Sequence, residues 1–279
     1  MCPLSGTGFQ PVLNMGKMPM PLSPERIETI IVAAGRGTRL QGSIGSCTRS
    51  GTPTMGYTTT DNVAKSMRLL GGKPLFAHAV ETFQKSSDIS GIIVVVGLED
   101  VEVARHWIQK LQYSKVVAVV SGGKERSDSV QEGLKVVAPN TRWIAIHDGA
   151  RPFVTSELVS RVLSTARICG AAIPVLPVTD TIKEVLDNKI IATIPRKQLF
   201  GAQTPQVFDR QRLVGAYQMA KKKEYIATDD AEVVQHFTPG SITIVPGEEN
   251  NFKITTLADW ERAEDLWKRN FAVSGEDTT

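Results

Sequence analysis

The chain has 279 residues, a formal net charge of +3 and 41% hydrophobic residues, which suits a globular protein large enough to bury a core without disulfides or a structural metal. So small a charge gives no ground for nucleic-acid binding, and no apolar run is long enough to cross a bilayer. The cysteines Cys2, Cys47 and Cys169 form no close pair and the histidines show no metal-ligand spacing, so no protein metal site is expected and a reducing cytoplasm fits best.

Met1 to Pro24 is rich in Pro, Gly, Ser and Met, and residues 1–26 read as a disordered extension. Order is expected from Glu28. Thr29 to Ala34 is a short apolar, β-branched run ending at Gly35, the signature of a buried strand. Gln41 to Val63, rich in Gly, Ser and Thr, reads as a flexible insertion behind that strand. Helix is then expected at Leu75–Phe83, strand at Gly91–Val96, helix at Val101–Leu111 and strand at Val116–Val120. A helix at Ser127–Val137 capped by Ser127 follows, then a strand at Trp143–His147, a helix at Ser156–Cys169 and a strand at Ala171–Leu176. Thr179 to Ile194 reads as a hairpin turning at Asp187-Asn188-Lys189. A lone hairpin is marginal in water, so it is expected to pack on something, such as a second subunit. Thr228-Asp229-Asp230 reads as a helix N-cap, and Lys221 to Lys223 as a solvated helix end.

Continuous apolar strands alternating with amphipathic helices predict an α/β fold with a mainly parallel, Rossmann-like sheet and the hairpin as a protruding arm. Such sheets place ligands beyond the carboxyl ends of their strands. Three segments stand there. Ala33-Ala34-Gly35-Arg36-Gly37-Thr38-Arg39-Leu40 has glycines that let a phosphate approach the backbone. Leu40 occupies the place of the third glycine of a dinucleotide motif, and the two arginines suit a triphosphate better. Gly122-Gly123-Lys124-Glu125-Arg126-Ser127-Asp128-Ser129-Val130 again joins a strand to a helix, with Ser129 a candidate for a base edge. His147-Asp148-Gly149-Ala150-Arg151-Pro152 offers a carboxylate for hydroxyls or hydrated Mg²⁺ and an arginine for phosphate, with His147 reading as core. Taken alone, the first segment also reads as a plain β-to-α turn and the second as a capped turn. Further on, Lys253 is expected in a short strand between polar residues.

In their order these motifs resemble the 2-C-methyl-D-erythritol 4-phosphate cytidylyltransferases. The likeness rests on AAGxGxR at residues 33–39, GGxxRxxSV at 122–130, DxARP at 148–152, and Asp180 to Lys183, Thr204-Pro205-Gln206 and Asn251-Phe252-Lys253. The resemblance implies a nucleotidyltransferase-type fold over residues 27–272, with 41–63 an insertion, 179–196 a dimerisation arm and 273–279 a disordered tail. It implies that Arg39, Lys65 and Lys253 surround the reacting phosphates, and that Ala33, Ala34, Gly35, Gly37, Gly122, Gly123, Ser129 and Asp148 hold the nucleotide. Asp148, Arg151, Thr181, Arg196, Thr204 and Lys253 would meet the acceptor, some across a homodimer. The partners implied are CTP, carrying Mg²⁺, and a small polyol phosphate. Ala64 stands where the family usually has Pro, and the insertion separates Arg39 from Lys65. A cytidylyltransferase for ribitol 5-phosphate and a catalytically silent CTP-binding homologue are the alternatives.

Overall fold

Strands apolar on both faces need cover on both, and the fold supplies it. The structure, a computed structural model, describes residues 25–35 and 64–271. It runs β1 (Arg26–Ala33), a 3-10 turn (Lys65–Met67), β2 (Leu69–Leu70), β3 (Lys73–Pro74), α1 (Leu75–Lys85), β4 (Gly91–Val96), α2 (Val101–Lys110) and β5 (Val116–Ser121). Then come α3 (Arg126–Val136), β6 (Thr141–Asp148), α4 (Ser156–Cys169), β7 (Ala171–Pro177), β8 (Ile182–Leu186) and β9 (Lys189–Ile194). The chain continues with β10 (Phe200–Ala202), β11 (Gln206–Asp209), α5 (Arg210–Lys222), α6 (Asp230–Phe237), β12 (Thr243–Pro246) and α7 (Leu257–Phe271). The extension up to Pro24, the 41–63 insertion, the 273–279 tail and the residues Arg36, Gly37 and Arg39 lie outside the described residues.

Among the described residues eight strands form one sheet in the order β10-β7-β11-β6-β1-β4-β5, with β12 beside β7. β1 runs parallel to β4 and β6, β4 to β5, and β12 to β7; β10 and β11 are antiparallel to their neighbours. Successive side chains of a strand leave opposite faces. Ile27 and Ile31 therefore join one apolar cluster with Phe76 and Phe83 of α1 and Leu158 of α4, while Ile30 joins another with Val130 of α3, Leu213 of α5 and Val234 of α6. β4 divides the same way, Ile92 and Val94 to the first cluster and Ile93 and Val95 to the second. Fully burying each such side chain contributes about 1.5–3 kcal/mol. An Ile31→Asp change would place an unpaired carboxylate at a position with no exposed surface.

Helix α4 has its expected ends because both are capped. The Thr155 hydroxyl accepts the Leu158 N–H at 3.1 Å, and Gly170, at φ +85°, turns the chain away in the left-handed region. Three expectations need correction. β1 starts at Arg26, two residues before Glu28. The N-cap of α3 is Glu125 rather than Ser127, because the Asp128 carboxylate reaches back to the Glu125 N–H at 3.0 Å and fixes the first turn there. Lys253 lies outside any strand; its neighbour Ile254 donates one backbone bond, to Ala150 at 2.9 Å.

Among the described residues β8 and β9 pair only with each other, and they turn through Asp187 and Asn188, at φ +47° and +60°. Lys189 belongs to the strand rather than the turn, a two-residue connection whose twist suits a hairpin. Val185, Leu186, Ile190 and Ile191 on this hairpin are all exposed.

Candidate active site

The connections after β1, β5 and β6 meet at the carboxyl edge of the sheet and enclose a cleft of about 200 Å³. From the first come Ala33, Ala34 and Gly35, from the second Gly123, Lys124, Arg126 and Ser129, and from the third Asp148. Lys65, Ser66 and Lys253 complete the wall. Two segments distant in sequence thus bring their lysines to one pocket.

Local contacts explain how each arrives. The Ser66 hydroxyl donates to the Ala33 carbonyl at 2.6 Å and Met67 is buried, which ties the turn carrying Lys65 to the end of β1. Ala64, where the family usually has Pro, adopts φ −53° and ψ 139°, with φ inside the range a proline ring fixes. On the other side, the Arg151 guanidinium donates to the Asn251 carbonyl at 2.7 Å and the Ala202 carbonyl at 3.3 Å. The Asn251 amide in turn donates to the Thr204 carbonyl at 2.8 Å. These bonds fix the loop that carries Lys253.

The paired glycines serve packing first. A Cβ on Gly122 would lie 2.5 Å from the Ala34 Cβ and 2.6 Å from the Ser129 Oγ, and one on Gly123 would lie 2.3 Å from the Asp128 Cβ. The Ser129 hydroxyl accepts the Gly123 N–H at 3.2 Å and donates to the Glu125 carbonyl at 3.1 Å. Ser129 is therefore engaged in holding this loop against α3, while still lining the cleft.

Asp148 is the electrostatic centre. Its Oδ2 meets Lys253 Nζ at 2.8 Å, its Oδ1 meets Arg126 Nε at 3.0 Å, and Arg151 Nε lies 3.9 Å from Oδ2. Burial pushes the carboxyl toward neutrality, but the attraction of Arg126, Lys253 and Arg151 outweighs it and holds Asp148 well below the usual carboxylate range. Behind it, His147 Nε2 faces the Arg151 carbonyl at 3.1 Å, so the proton sits on that nitrogen. Nδ1 is then an acceptor and takes the Thr204 hydroxyl at 3.1 Å, while Thr204 Oγ1 accepts the Asp148 N–H at 3.0 Å. Burial lowers the His147 pKa to about 4, so the ring is neutral near pH 7.

Of the residues singled out in the sequence, Ala33, Ala34, Gly35, Gly123, Ser129, Lys65, Asp148 and Lys253 are brought together here. Gly122, Arg151 and Thr204 stand behind the wall and do not line it: the Gly122 N–H donates to the Val96 carbonyl at 2.7 Å, and the Thr204 hydroxyl and two nitrogens of Arg151 are used in the bonds above. Thr181 and Arg196 are exposed at the base of the hairpin, where Arg196 donates to the Thr179 carbonyl, and neither lines the cleft of this chain. Sequence reasoning passed over Arg126, Lys124 and Ser66. For Arg126 a signal existed: it is the fixed arginine of the GGxxRxxSV segment.

The described residues contain no group of three or more His, Cys, Asp or Glu side chains able to hold a metal ion. They also contain no helix long and apolar enough to cross a membrane.

The sequence profile of the 2-C-methyl-D-erythritol 4-phosphate cytidylyltransferases matches residues 53–269. The chain belongs to that family. A cytidylyltransferase of this name from Dehalococcoides mccartyi strain CBDB1 is 36% identical over 88% of the chain and 97% of the relative. One from Syntrophus aciditrophicus is 37% identical over the same shares, 88% and 97%. Among solved structures, the 4-diphosphocytidyl-2C-methyl-D-erythritol synthase of Anaerococcus prevotii superposes with a TM-score of 0.72 at 27% identity, covering 88% of this chain and all of that one. The cytidylyltransferase of Thermus thermophilus gives 0.67 at 28% identity, covering 87% and 99%. The family is a nucleotidyltransferase family, and its members share this mainly parallel α/β fold.

Proposed function

We propose that this chain transfers CMP from CTP to 2-C-methyl-D-erythritol 4-phosphate, releasing pyrophosphate and forming 4-diphosphocytidyl-2-C-methyl-D-erythritol. The observation that carries the reading is the lining of one cleft by Lys65, Lys124, Arg126 and Lys253 around a single buried carboxylate, Asp148. The acceptor is a phosphate monoester whose second pKa is about 6, so it is already a dianionic nucleophile near neutrality. It needs no general base. Its oxygen attacks the α-phosphorus of CTP, the new P–O bond forms in line with the one that breaks, and pyrophosphate leaves with the electron pair. The work left to the protein is positioning and stabilising charge.

Lys65 and Lys253 both line the cleft and take the phosphate oxygens, with Arg39 assigned to the same task by the family motif. Ala33, Ala34, Gly35 and Gly123 offer a wall of backbone and small side chains to the nucleoside. Asp148 accepts from hydroxyls of ribose or acceptor. The donor set fits a Mg²⁺ ion borne by the triphosphate: such an ion needs only one or two carboxylates beside phosphate oxygens and water, and Asp148 faces the cleft. When bound, the ion supplies further neutralisation of the phosphate charge.

Thr181 and Arg196 are assigned to the acceptor of a second subunit, because both flank the hairpin and neither reaches the cleft of its own chain. The exposed apolar side chains Val185, Leu186, Ile190 and Ile191 support residues 179–196 as the arm of a homodimer. Residues 27–272 then form the cytidylyltransferase domain, and the exposed thiol of Cys169 suits a reducing cytoplasm.

A pyrophosphate-release assay with CTP and Mg²⁺ tests the acceptor. Release with methylerythritol phosphate and little with ribitol 5-phosphate supports the reading; the reverse preference, or CTP binding without release, overturns it.

A further inference from the structure

Arg126 is held from two sides. Its Nε meets Asp148 Oδ1 at 3.0 Å and its Nη2 meets Asp230 Oδ2 at 2.7 Å. Asp230 has no exposed surface and does not line the cleft. Its other oxygen accepts the Tyr217 hydroxyl at 2.5 Å, deep between α5 and α6. The start of α6 is itself pinned to β11, since Gln206 Oε1 accepts the Ala231 N–H at 2.9 Å and Gln206 Nε2 donates to Asp229 at 2.8 Å. A buried anion on a fixed helix start therefore grips one arm of a guanidinium whose other arm faces the nucleotide cleft.

We infer that Asp230, anchored by Tyr217, is a positioning residue for the transfer reaction: it keeps Arg126 on Asp148, and through Asp148 sets where Lys253 stands. The inference rests on the function proposed above. The physical case is one of competing anions. An arginine at the rim of a wet cleft with Asp148 as its one partner would be drawn to an incoming triphosphate, because guanidinium pairs bidentately with phosphate. A second carboxylate that no ligand can reach opposes that swing. It also leaves Arg126 shared between two acids, so Asp148 keeps negative charge with which to hold Lys253 at 2.8 Å. Removing Asp230 would release Arg126 to bind ground-state phosphate, and Asp148, relieved of that cation, would pull harder on Lys253 and draw it out of alignment with the reacting phosphates. Binding would be kept or strengthened, and the chemical step slowed.

The test is a kinetic cycle on the full chain with Asp230→Asn, Tyr217→Phe, Arg126→Gln and the Asp230→Asn/Arg126→Gln double variant. Asp230→Asn is expected to lower kcat about tenfold or more without raising the KM for CTP, and to change kcat less than about twofold when Arg126 is already Gln. Tyr217→Phe keeps the ring in the core and guards against a folding failure of Asp230→Asn; it is expected to lower kcat in the same direction, by about two- to fivefold, again without raising KM. A turnover-independent arm follows the Arg126 Nε–H by NMR, assigned by its loss in Arg126→Gln. That proton should be protected from exchange in the unaltered chain and exposed in Asp230→Asn. Full kcat in both Asp230→Asn and Tyr217→Phe, equal losses with and without Arg126, or unchanged protection in Asp230→Asn would each overturn the inference. An unaltered chain that releases no pyrophosphate overturns the proposed function instead, and the NMR arm still decides the positioning.

Discussion

The ammonium of Lys253 stands 2.8 Å from Oδ2 of Asp148, so a loop near the end of the chain is clamped by charge to the carboxyl end of β6. Lys65 approaches the same cleft from the turn after the insertion. In the proposed reaction both lysines would stabilise the charge that grows as pyrophosphate departs, and neither belongs to the core. Lys65→Ala and Lys253→Ala are each expected to lower kcat by about 100- to 1000-fold, the usual cost of about 2.7–4 kcal/mol for one lost electrostatic donor. Steady-state pyrophosphate release checks this, with thermal melting to show that the fold persists. Near-normal turnover in both variants would remove them from the reaction.

Stability should fall with pH through two buried groups. His147 titrates near 6.5 when unfolded and near 4 when folded, so between these values the unfolded chain binds more protons and acid favours unfolding. The shift corresponds to about 3 kcal/mol lost as pH falls from 7 to 4. Asp148, held below the usual carboxylate range, adds a stabilisation that is present above about pH 4 and is lost as pH falls below it. Urea unfolding of the unaltered chain and of His147→Gln at pH 7 and pH 5 separates the terms. The pH-dependent loss should be smaller in the variant; an equal loss in both would show that His147 is not the responsible group.

Thr204→Val should act on stability before catalysis. The hydroxyl serves both the Asp148 N–H and His147 Nδ1, so its removal leaves two buried polar groups unpaired. A loss of about 1–3 kcal/mol in unfolding free energy is expected, with the KM for CTP changing little because Thr204 does not line the cleft. A variant as stable as the parent would contradict the hydrogen-bond chain described here.

The sheet was legible because its strands are uninterrupted β-branched runs, as in Ile92 to Val96, and because Thr155 and Gly170 cap α4 where the hydrophobic pattern ends. The cleft was legible in its glycine-rich turns. What the sequence hid was partnership across long separations. Ser129 looked like a group for a base edge, yet it closes the turn that Gly122 opens. Arg151 and Thr204 looked like ligand contacts, yet their polar groups hold Asn251 and His147. The pairing of Arg126 with Asp230, 104 positions apart, depends on how α6 docks against β11, which no local pattern states. Lys253 was expected in a short strand between polar residues, but the chain there is held by side-chain bonds from Arg151 and Asn251 rather than by a ladder.

The β8–β9 hairpin, proposed above as a dimerisation arm, gives an expectation about assembly. Sedimentation at micromolar concentration should find a dimer, and Ile190→Asp with Ile191→Lys should yield a monomer with unchanged secondary structure. Arg196→Ala should raise the KM for the acceptor and leave that for CTP near its original value. A monomeric parent, or an unchanged acceptor KM, would detach residues 179–196 from the site.

The most direct measurement follows the oxygen atoms. Methylerythritol phosphate carrying heavy oxygen in its phosphate is incubated with the chain, CTP and Mg²⁺, and the products are separated by mass. Attack by the acceptor on the α-phosphorus puts all of the label into the cytidine diphosphate product, including its bridging position, and none into pyrophosphate. Labelled pyrophosphate, or labelled free phosphate with no cytidine product, would contradict transfer of CMP to an intact acceptor in this cleft.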